Sequence, residues 1–366
     1  MRLAPRSLAV MSTRAVFYST LLFVPISFWL GLSHASATAV FVVSCLAVLP
    51  LAGLMGEATE QLAHRCGPGI GALLNATFGN AAELIIGLIA LRAGEVEIVK
   101  ASITGSILGN MLMVLGVAML VGGWRHKELL FNRRAAELGS GMMVLATVAL
   151  VIPAIYASVT HHREPEHLEA ISLDLSWVLI ASYLASLLFQ LKTHQRLFAP
   201  PREAAHRDGG PSAPAWPLWR SLGLLLGAAV LVGFVSEFLV GAIHSAGEAL
   251  GLGKVFMGVV VIAVIGNAAE HATAVLMAAR NQMDLAFGIA MGSSMQIALF
   301  VAPVLVIAGH LMGQPLGLEF SLLEVAAVML SAMAVAHLAS DGRTNWFEGF
   351  QLLAIYAILA VAFYYI

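Results

Sequence analysis

Apolar stretches of about twenty residues, the length that carries a helix across a bilayer, recur along the whole chain. Eleven cores stand out, near 15–32, 37–55, 69–91, 98–121, 135–157, 172–190, 217–241, 255–279, 285–311, 320–339 and 346–366. Lipid offers no hydrogen-bond partners, so a crossing segment must satisfy its own backbone, and segments of this length do so as helices. Composition agrees. Only 11% of residues are charged and 60% are hydrophobic, with a mean hydropathy of +0.89, whereas a soluble domain carries about 25% charged residues. The expected fold class is an all-α polytopic membrane protein with eleven transmembrane helices. A formal net charge of −2 argues against nucleic acid as a partner. Cys45 and Cys66 provide neither a disulfide framework nor a metal cluster.

Lysine and arginine in short loops sort toward the cytoplasm. With the N-terminus inside, the inner segments hold Arg2, Arg6, Arg14, Arg65, Arg125, Lys127, Arg133, Arg134, Lys192, Arg196, Arg202, Arg207, Arg220, Arg280 and Arg343. The outer segments hold only Arg92, Lys100, Arg163 and Lys254. The bias predicts a cytoplasmic N-terminus and an external C-terminus, in a bacterial inner (plasma) membrane. SHASA after the first core resembles a signal-peptide cleavage site, but 15–32 is long for a signal sequence, so a retained helix is expected. The Pro-, Gly- and Ala-rich 199–217, APPREAAHRDGGPSAPAWP, reads as a flexible cytoplasmic linker. HHREPEHLEA (161–170) reads as a solvated loop, with weak metal sensing as the other reading.

GNAAE occurs at 79–83 and again at 266–270, 187 positions later. The same offset aligns Gly71 with Gly258 and Gly105-Ser106 with Gly292-Ser293. Spans 2–6 therefore match spans 7–11, leaving the first unpaired. Five spans per copy is odd, so the second copy enters from the opposite side: an inverted repeat, as in secondary transporters whose sites lie at the midplane between repeats. The expected organisation is 1–36, N-terminal tail and first helix; 37–198, first five-helix repeat; 199–216, cytoplasmic linker; and 217–366, second five-helix repeat.

Each GNAAE puts a carboxylate deep in a span, where charge is costly and kept for function or pairing. Glu83 shares a helical face with Asn80, and Glu270 shares one with Asn267. Gly79, Asn80, Gly266 and Asn267 are poor helix formers, so backbone oxygens can be released there where they line a cavity. Inversion brings the two glutamates face to face, and two close carboxylates cannot both ionise without a cation or protons. Hard oxygen ligands with charge −2 suit Ca²⁺, and no His or Cys stands at the spacing that Zn²⁺ or Cu⁺ would use. His271 points away from Glu270 on a helix and reads as a packing or gating residue. SITGSILGNM (102–111) and IAMGSSMQIAL (289–299) add Ser106, Asn110, Ser293 and Gln296. The serines equally suit close helix packing; Asn110 and Gln296 are too large and polar for that alone. Glu57, Glu60 and Glu248 fall at or near span ends, while Glu237 and Glu324 could line a path or serve structurally.

The chain resembles the calcium/cation antiporter superfamily, in its calcium/proton branch. The resemblance rests on GEATEQLA (56–63), LLNATFGNAAELIIGLIALRAG (73–94), GSILGNMLMVLG (105–116), HKELLFNRRAA (126–136), FQLKTH (189–194) and GNAAEHATAVLMAARNQMDLAFGIAMGSSMQIALFVAPVLV (266–306). It implies that Glu83 and Glu270 ligate Ca²⁺ and alternately carry protons, assisted by main-chain oxygens of Gly79 and Gly266. Asn80, Asn267, Ser106, Ser293, Gln296 and Asn110 would surround them. Gly109 stands where many relatives carry a serine, and 199–217 lacks the acidic helix that many carry between the halves.

The expected function is Ca²⁺/H⁺ antiport by alternating access. No cofactor is expected, since Ca²⁺ is substrate and H⁺ counter-ion; the partners are these ions and the lipid bilayer, with homo-oligomerisation left open. A Na⁺-coupled or broader-specificity cation/Ca²⁺ exchanger is the alternative. An intramembrane hydrolase is disfavoured by the lack of HExxH or a His-paired nucleophile in the spans. Paired inverted glutamates suit a carrier better than a ring-built channel.

Overall fold

The computed structural model describes residues 19–33, 35–160, 165–198 and 216–366. Its helices are α1 (Thr20–Leu32), α2 (Ala37–Phe78), α3 (Ala81–Arg92), α4 (Val96–His126), α5 (Arg133–Val159), α6 (Pro165–Thr193), α7 (Leu218–Leu250), α8 (Lys254–Gly266), α9 (Ala268–Ala279), α10 (Met283–Leu311), α11 (Leu322–Asp341) and α12 (Trp346–Tyr364). Among the described residues, eight helices are long and apolar enough to cross a membrane, and nine if the bent pair α8–α9 counts as one span. The protein is a multi-pass membrane protein. Residues 1–18, 161–164 and 199–215, which hold the N-terminal arginines, part of the His/Glu loop and most of the linker, lie outside the described residues.

Two expectations need correction. No break in helical backbone separates cores 37–55 and 69–91: it continues from Ala37 to Phe78, and the interruption falls at Gly79–Asn80. Eight residues of straight helix span about 12 Å, yet a Cβ on Gly71 would stand 2.6 Å from the Ala63 carbonyl oxygen. The chain therefore folds back between them. The all-α reading also missed a short antiparallel ladder, Leu129–Leu130 with Arg343–Thr344. Two residues per strand are too few to show an alternating pattern.

Helix starts follow local chemistry. Asn132 caps α5 by accepting from Ala135 N at 3.2 Å. Asn345 caps α12 by accepting from Phe347 N and Glu348 N. Ser321 and Glu324 close a reciprocal capping box on α11, which satisfies donors that a helix start leaves open. The most buried long helices are α4 and α10, and their first residues, Val96 and Met283, stand 187 positions apart. So do the starts of α3 and α9. Around α4 backbones touch closely: a Cβ on Gly105 would run into the Val259 carbonyl, and one on Gly258 would stand 2.5 Å from Ala101 Cβ. Close approach through small residues is how helices associate where lipid removes the hydrophobic drive.

The bundle has two distinct ends, separated by the roughly 46 Å length of α4. At one end His126 meets Ala279 O at 3.2 Å, Asn132 N donates to Asp284, and Trp216 N donates to Gln61 at 3.1 Å. At the other, Lys100 pairs with Glu319 at 2.6 Å, His310 with Glu169 at 2.6 Å, and His244 with Glu95.

Candidate functional site

Helical backbone breaks at the same place in both GNAAE segments. Asn80 sits at φ −103°, ψ 24° and Asn267 at φ −95°, ψ 4°. This bridge region is sparsely populated and common at functional positions. Across the second break α8 and α9 diverge by 62°. Each helix then restarts on the asparagine carbonyl: Leu84 N–H donates to Asn80 O at 3.1 Å, and His271 N–H to Asn267 O at 3.0 Å. Glu83 and Glu270 thus fall in first helical turns, near N–H groups left open by the restart.

Both asparagine side chains donate through their amide nitrogens. Asn80 Nδ2 donates to Gln296 Oε1, and Asn267 Nδ2 donates to Ser106 Oγ at 2.9 Å and Ala263 O at 3.0 Å. With the amide nitrogens engaged, Asn80 Oδ1 and Asn267 Oδ1 are buried without a hydrogen-bond partner, as are Glu83 Oε2 and Glu270 Oε2. Four unsatisfied buried oxygens from two short motifs are expensive in a folded protein and form a set of acceptors suited to a cation. The two segments also touch. A Cβ on Gly266 would lie 3.3 Å from Glu83 Oε1, so the glycine of one copy makes room for the glutamate of the other. Glu83 and Glu270 line one cavity.

A cavity of about 1060 Å³ opens onto these groups. It is lined by Gly79, Glu83, Gly266, Glu270, Ser293 and Gln296, and nearer its mouth by Glu57, Glu60, Asn132, Gln190 and Asp284. Five carboxylates and no Lys, Arg or His line it among the described residues, a field that concentrates cations. Beyond Glu83, toward the Lys100–Glu319 end, lies a pocket of about 20 Å³, walled by Ile86, Val99, Ile103, Val301 and Leu305 with Ser102 and Ser106.

Asn80, Asn267 and Asn110 are buried behind the cavity wall. Ser106 borders the small pocket. Asn110 Nδ2 donates to Ser293 Oγ at 2.9 Å, and His271 Nε2 lies 3.1 Å from Asn110 Oδ1. Glu324 caps α11 and accepts from Thr104 Oγ1 at 3.2 Å. Glu237 is exposed on α7, and neither lines the cavity. Sequence reasoning passed over Asn75, Thr273, Asp284, Gln190 and Tyr183. Asn75 and Thr273 stand four residues before Gly79 and three after Glu270, so helical spacing could have flagged them. The buried Tyr183 hydroxyl faces Gln296 without closing a well-formed hydrogen bond, and no local pattern signals that approach.

The sodium/calcium exchanger protein family matches residues 36–192 and 220–365. The chain belongs to this family. Among its relatives, the Ca(2+)/H(+) antiporter of Aphanothece halophytica is 44% identical over 365 residues, covering 97% of this chain and 98% of the relative. The Ca(2+)/H(+) antiporter of Synechocystis sp. is 45% identical over 370 residues, covering 97% and 99%. The solved structure of native YfkE superposes with a TM-score of 0.82 at 38% identity, covering 96% of this chain and all of that one. Both halves of the family match contain one GNAAE segment, so the broken-helix site lies inside the family's shared region.

Proposed function

We propose that this protein is a secondary active antiporter that exchanges Ca²⁺ for H⁺ by alternating access, with Glu83 and Glu270 binding either Ca²⁺ or protons. One observation carries the reading: each GNAAE segment puts a glutamate with an unpartnered buried oxygen on the wall of one cavity. Two carboxylates with amide and hydroxyl oxygens around them suit a hard divalent cation that accepts six to eight oxygen ligands. The names of the antiporter relatives agree with this choice of ions. Ca²⁺ is substrate here and no cofactor is invoked.

Counting α1, the arm of α2 that continues into α3, and the bent pair α8–α9 as spans gives eleven. Two inverted five-helix repeats after one extra helix follow, supported by the matching element starts. The basic residues then orient the molecule. The cavity mouth lies beside Asn132, Gln190 and Asp284, at the end rich in Arg125, Lys127, Arg133, Arg134, Lys192 and Arg280, which supports a cytoplasmic mouth. The conformation is accordingly inward-facing, with the apolar layer beyond Glu83 as the closed outer gate.

The cycle follows from charge. Facing inward, the ionised glutamates take Ca²⁺. Facing outward, protons compete for the carboxylates and release it. Crossing with a bare double negative charge in a closed apolar site is too costly to compete, so each crossing carries either Ca²⁺ or protons. The test is Ca²⁺ uptake into everted vesicles driven by an imposed pH gradient. Uptake that responds to a Na⁺ gradient and ignores pH would instead establish the Na⁺-coupled alternative, which the family's name keeps in view.

A further inference from the structure

Glu270 has a set of supporting side chains that Glu83 lacks. His271 Nε2 lies 3.1 Å from Asn110 Oδ1, and Asn110 Nδ2 donates to Ser293 Oγ at 2.9 Å. The Ser293 hydroxyl in turn faces the Glu270 carboxylate across the cavity wall they share, without closing a well-formed hydrogen bond, and Glu270 Oε2 stays without a partner. Asn110 is 1% exposed and lies behind the cavity wall, so water does not offer it a ready substitute.

The Asn110 orientation in the structure sets the direction of the links around it. The amide nitrogen of Asn110 faces Ser293, so its oxygen faces His271, and His271 must present an N–H at Nε2. Ser293 Oγ accepts from Asn110, which leaves its own hydrogen for the carboxylate. An amide's two ends are nearly the same size, so only their partners decide which way it points. Were the Asn110 amide turned over, its NH₂ would meet His271 Nε2, which accepts only when the ring carries its hydrogen on Nδ1. Ser293 would then give its hydrogen to Asn110 Oδ1, and Glu270 would lose it.

Among the described residues, the first half has no such arrangement. At the offset of 187, His271 corresponds to Leu84 and Asn110 to Ile297. Ser106 corresponds to Ser293, but it accepts from Asn267.

We propose that His271 is a positioning residue: by fixing the Asn110 amide it aims the Ser293 hydroxyl at Glu270 and so sets how tightly that carboxylate holds Ca²⁺. This rests on Glu270 binding Ca²⁺, as argued above. The restraint works through orientation and needs no change in the charge of His271.

The experiment is a double-mutant cycle on the full-length protein in everted vesicles, reading KM for Ca²⁺ and maximal rate separately. His271→Leu, which installs the residue found at the equivalent position of the first half, should raise KM about tenfold, the size of one hydrogen bond to a charged group. The maximal rate should change much less. His271→Gln keeps a donor for Asn110 and should recover most of the affinity. Ser293→Ala should raise KM by itself, and adding His271→Leu to it should change KM no further. Asn110→Asp, which has no N–H for Ser293 but still accepts from His271, should behave like Ser293→Ala, and it provides a second route if His271→Leu does not accumulate in the membrane. An unchanged KM in His271→Leu, or effects of His271→Leu and Ser293→Ala that multiply in full, would overturn the proposal. Those outcomes are separable from a failure of the transport reading, because in that case Glu270→Gln would itself transport Ca²⁺ normally.

Discussion

Glu83 and Glu270 come from identical five-residue motifs and from helices that break at the same residue, but their surroundings are not copies. Glu83 lies against the backbone of Gly266 and borders the apolar pocket of Ile86, Ile103 and Leu305. Glu270 lies under the polar chain of Ser293, Asn110 and His271. One carboxylate is shaped by an absence of side chain and the other by added donors. A repeated motif thus sets where the charges sit, while the residues around it distinguish them. Two sites with one task need share only their charge and reach; the supporting contacts are free to diverge.

The largest effects should come from the feature the halves have in common. Glu83→Gln and Glu270→Gln should each abolish pH-driven Ca²⁺ uptake, by at least about a hundredfold, since a lost charge partner at a buried site costs about 3 kcal/mol or more. Normal uptake by either variant would show that one half alone is sufficient. Protons compete for both groups, so the sign of the pH dependence is fixed: a carboxylate binds Ca²⁺ when deprotonated and loses it as pH falls. Apparent Ca²⁺ affinity on the cavity side should therefore drop on acidification, by up to about tenfold per pH unit for each proton that must leave before binding. Ca²⁺ titrations at stepped pH would measure this, and an affinity indifferent to pH would remove the proposed competition.

The glycines should separate the halves next. Gly266→Ala puts a methyl group 3.3 Å from Glu83 Oε1, so it should weaken Ca²⁺ binding several-fold, about 1 kcal/mol, with little loss of folded protein. Gly79→Ala would press a methyl into the Asn75 carbonyl of its own preceding turn, away from Glu270. It should lower thermal stability by about 1–3 kcal/mol and affect Ca²⁺ affinity less. KM and melting temperature measured on both variants would sharpen the contrast, and identical profiles would erase it.

Much of this was legible in the sequence for physical reasons. Lipid forces long apolar segments into helices, so the apolar runs marked the elements. Gly79-Asn80 and Gly266-Asn267 are poor helix formers, so the breaks fell where composition put them. Ser106, Ser293, Gln296 and Asn110 were recognisable as polar groups at depth, although their pairing was not. That Asn80 meets Gln296, 216 residues away, depends on how helices are turned against one another, which local spacing does not encode. His271 illustrates the gap best. Its angle on the helix, away from Glu270, follows from geometry, but the Asn110 waiting there belongs to a different span. The fold-back between Ala63 and Gly71 was hidden for another reason: helical backbone carries through it, so no break in pattern marks the turn.

The smallest predicted effect tests the comparison most closely, because it uses two serines that are equivalent by the repeat. Ser106 and Ser293 are both buried, and each accepts from an asparagine at 2.9 Å. The asparagines differ in what else they hold. Asn267 also donates to Ala263 O at 3.0 Å, so after Ser106→Ala its amide stays anchored and its Oδ1 keeps its aim. Asn110 gives its nitrogen to Ser293, and Ser293 is also the group that faces Glu270. Ser293→Ala therefore removes an acceptor and a hydroxyl facing a charge in a single step. One neutral hydrogen bond is worth about 0.5–1.5 kcal/mol and one to a charged group about twice that. Ser106→Ala should accordingly raise KM for Ca²⁺ by about threefold, against about tenfold for Ser293→Ala. If Ser106→Ala proved the more damaging, the weight of the site would lie on Glu83, and the donors gathered around Glu270 would be scaffolding for α9 rather than for the ion.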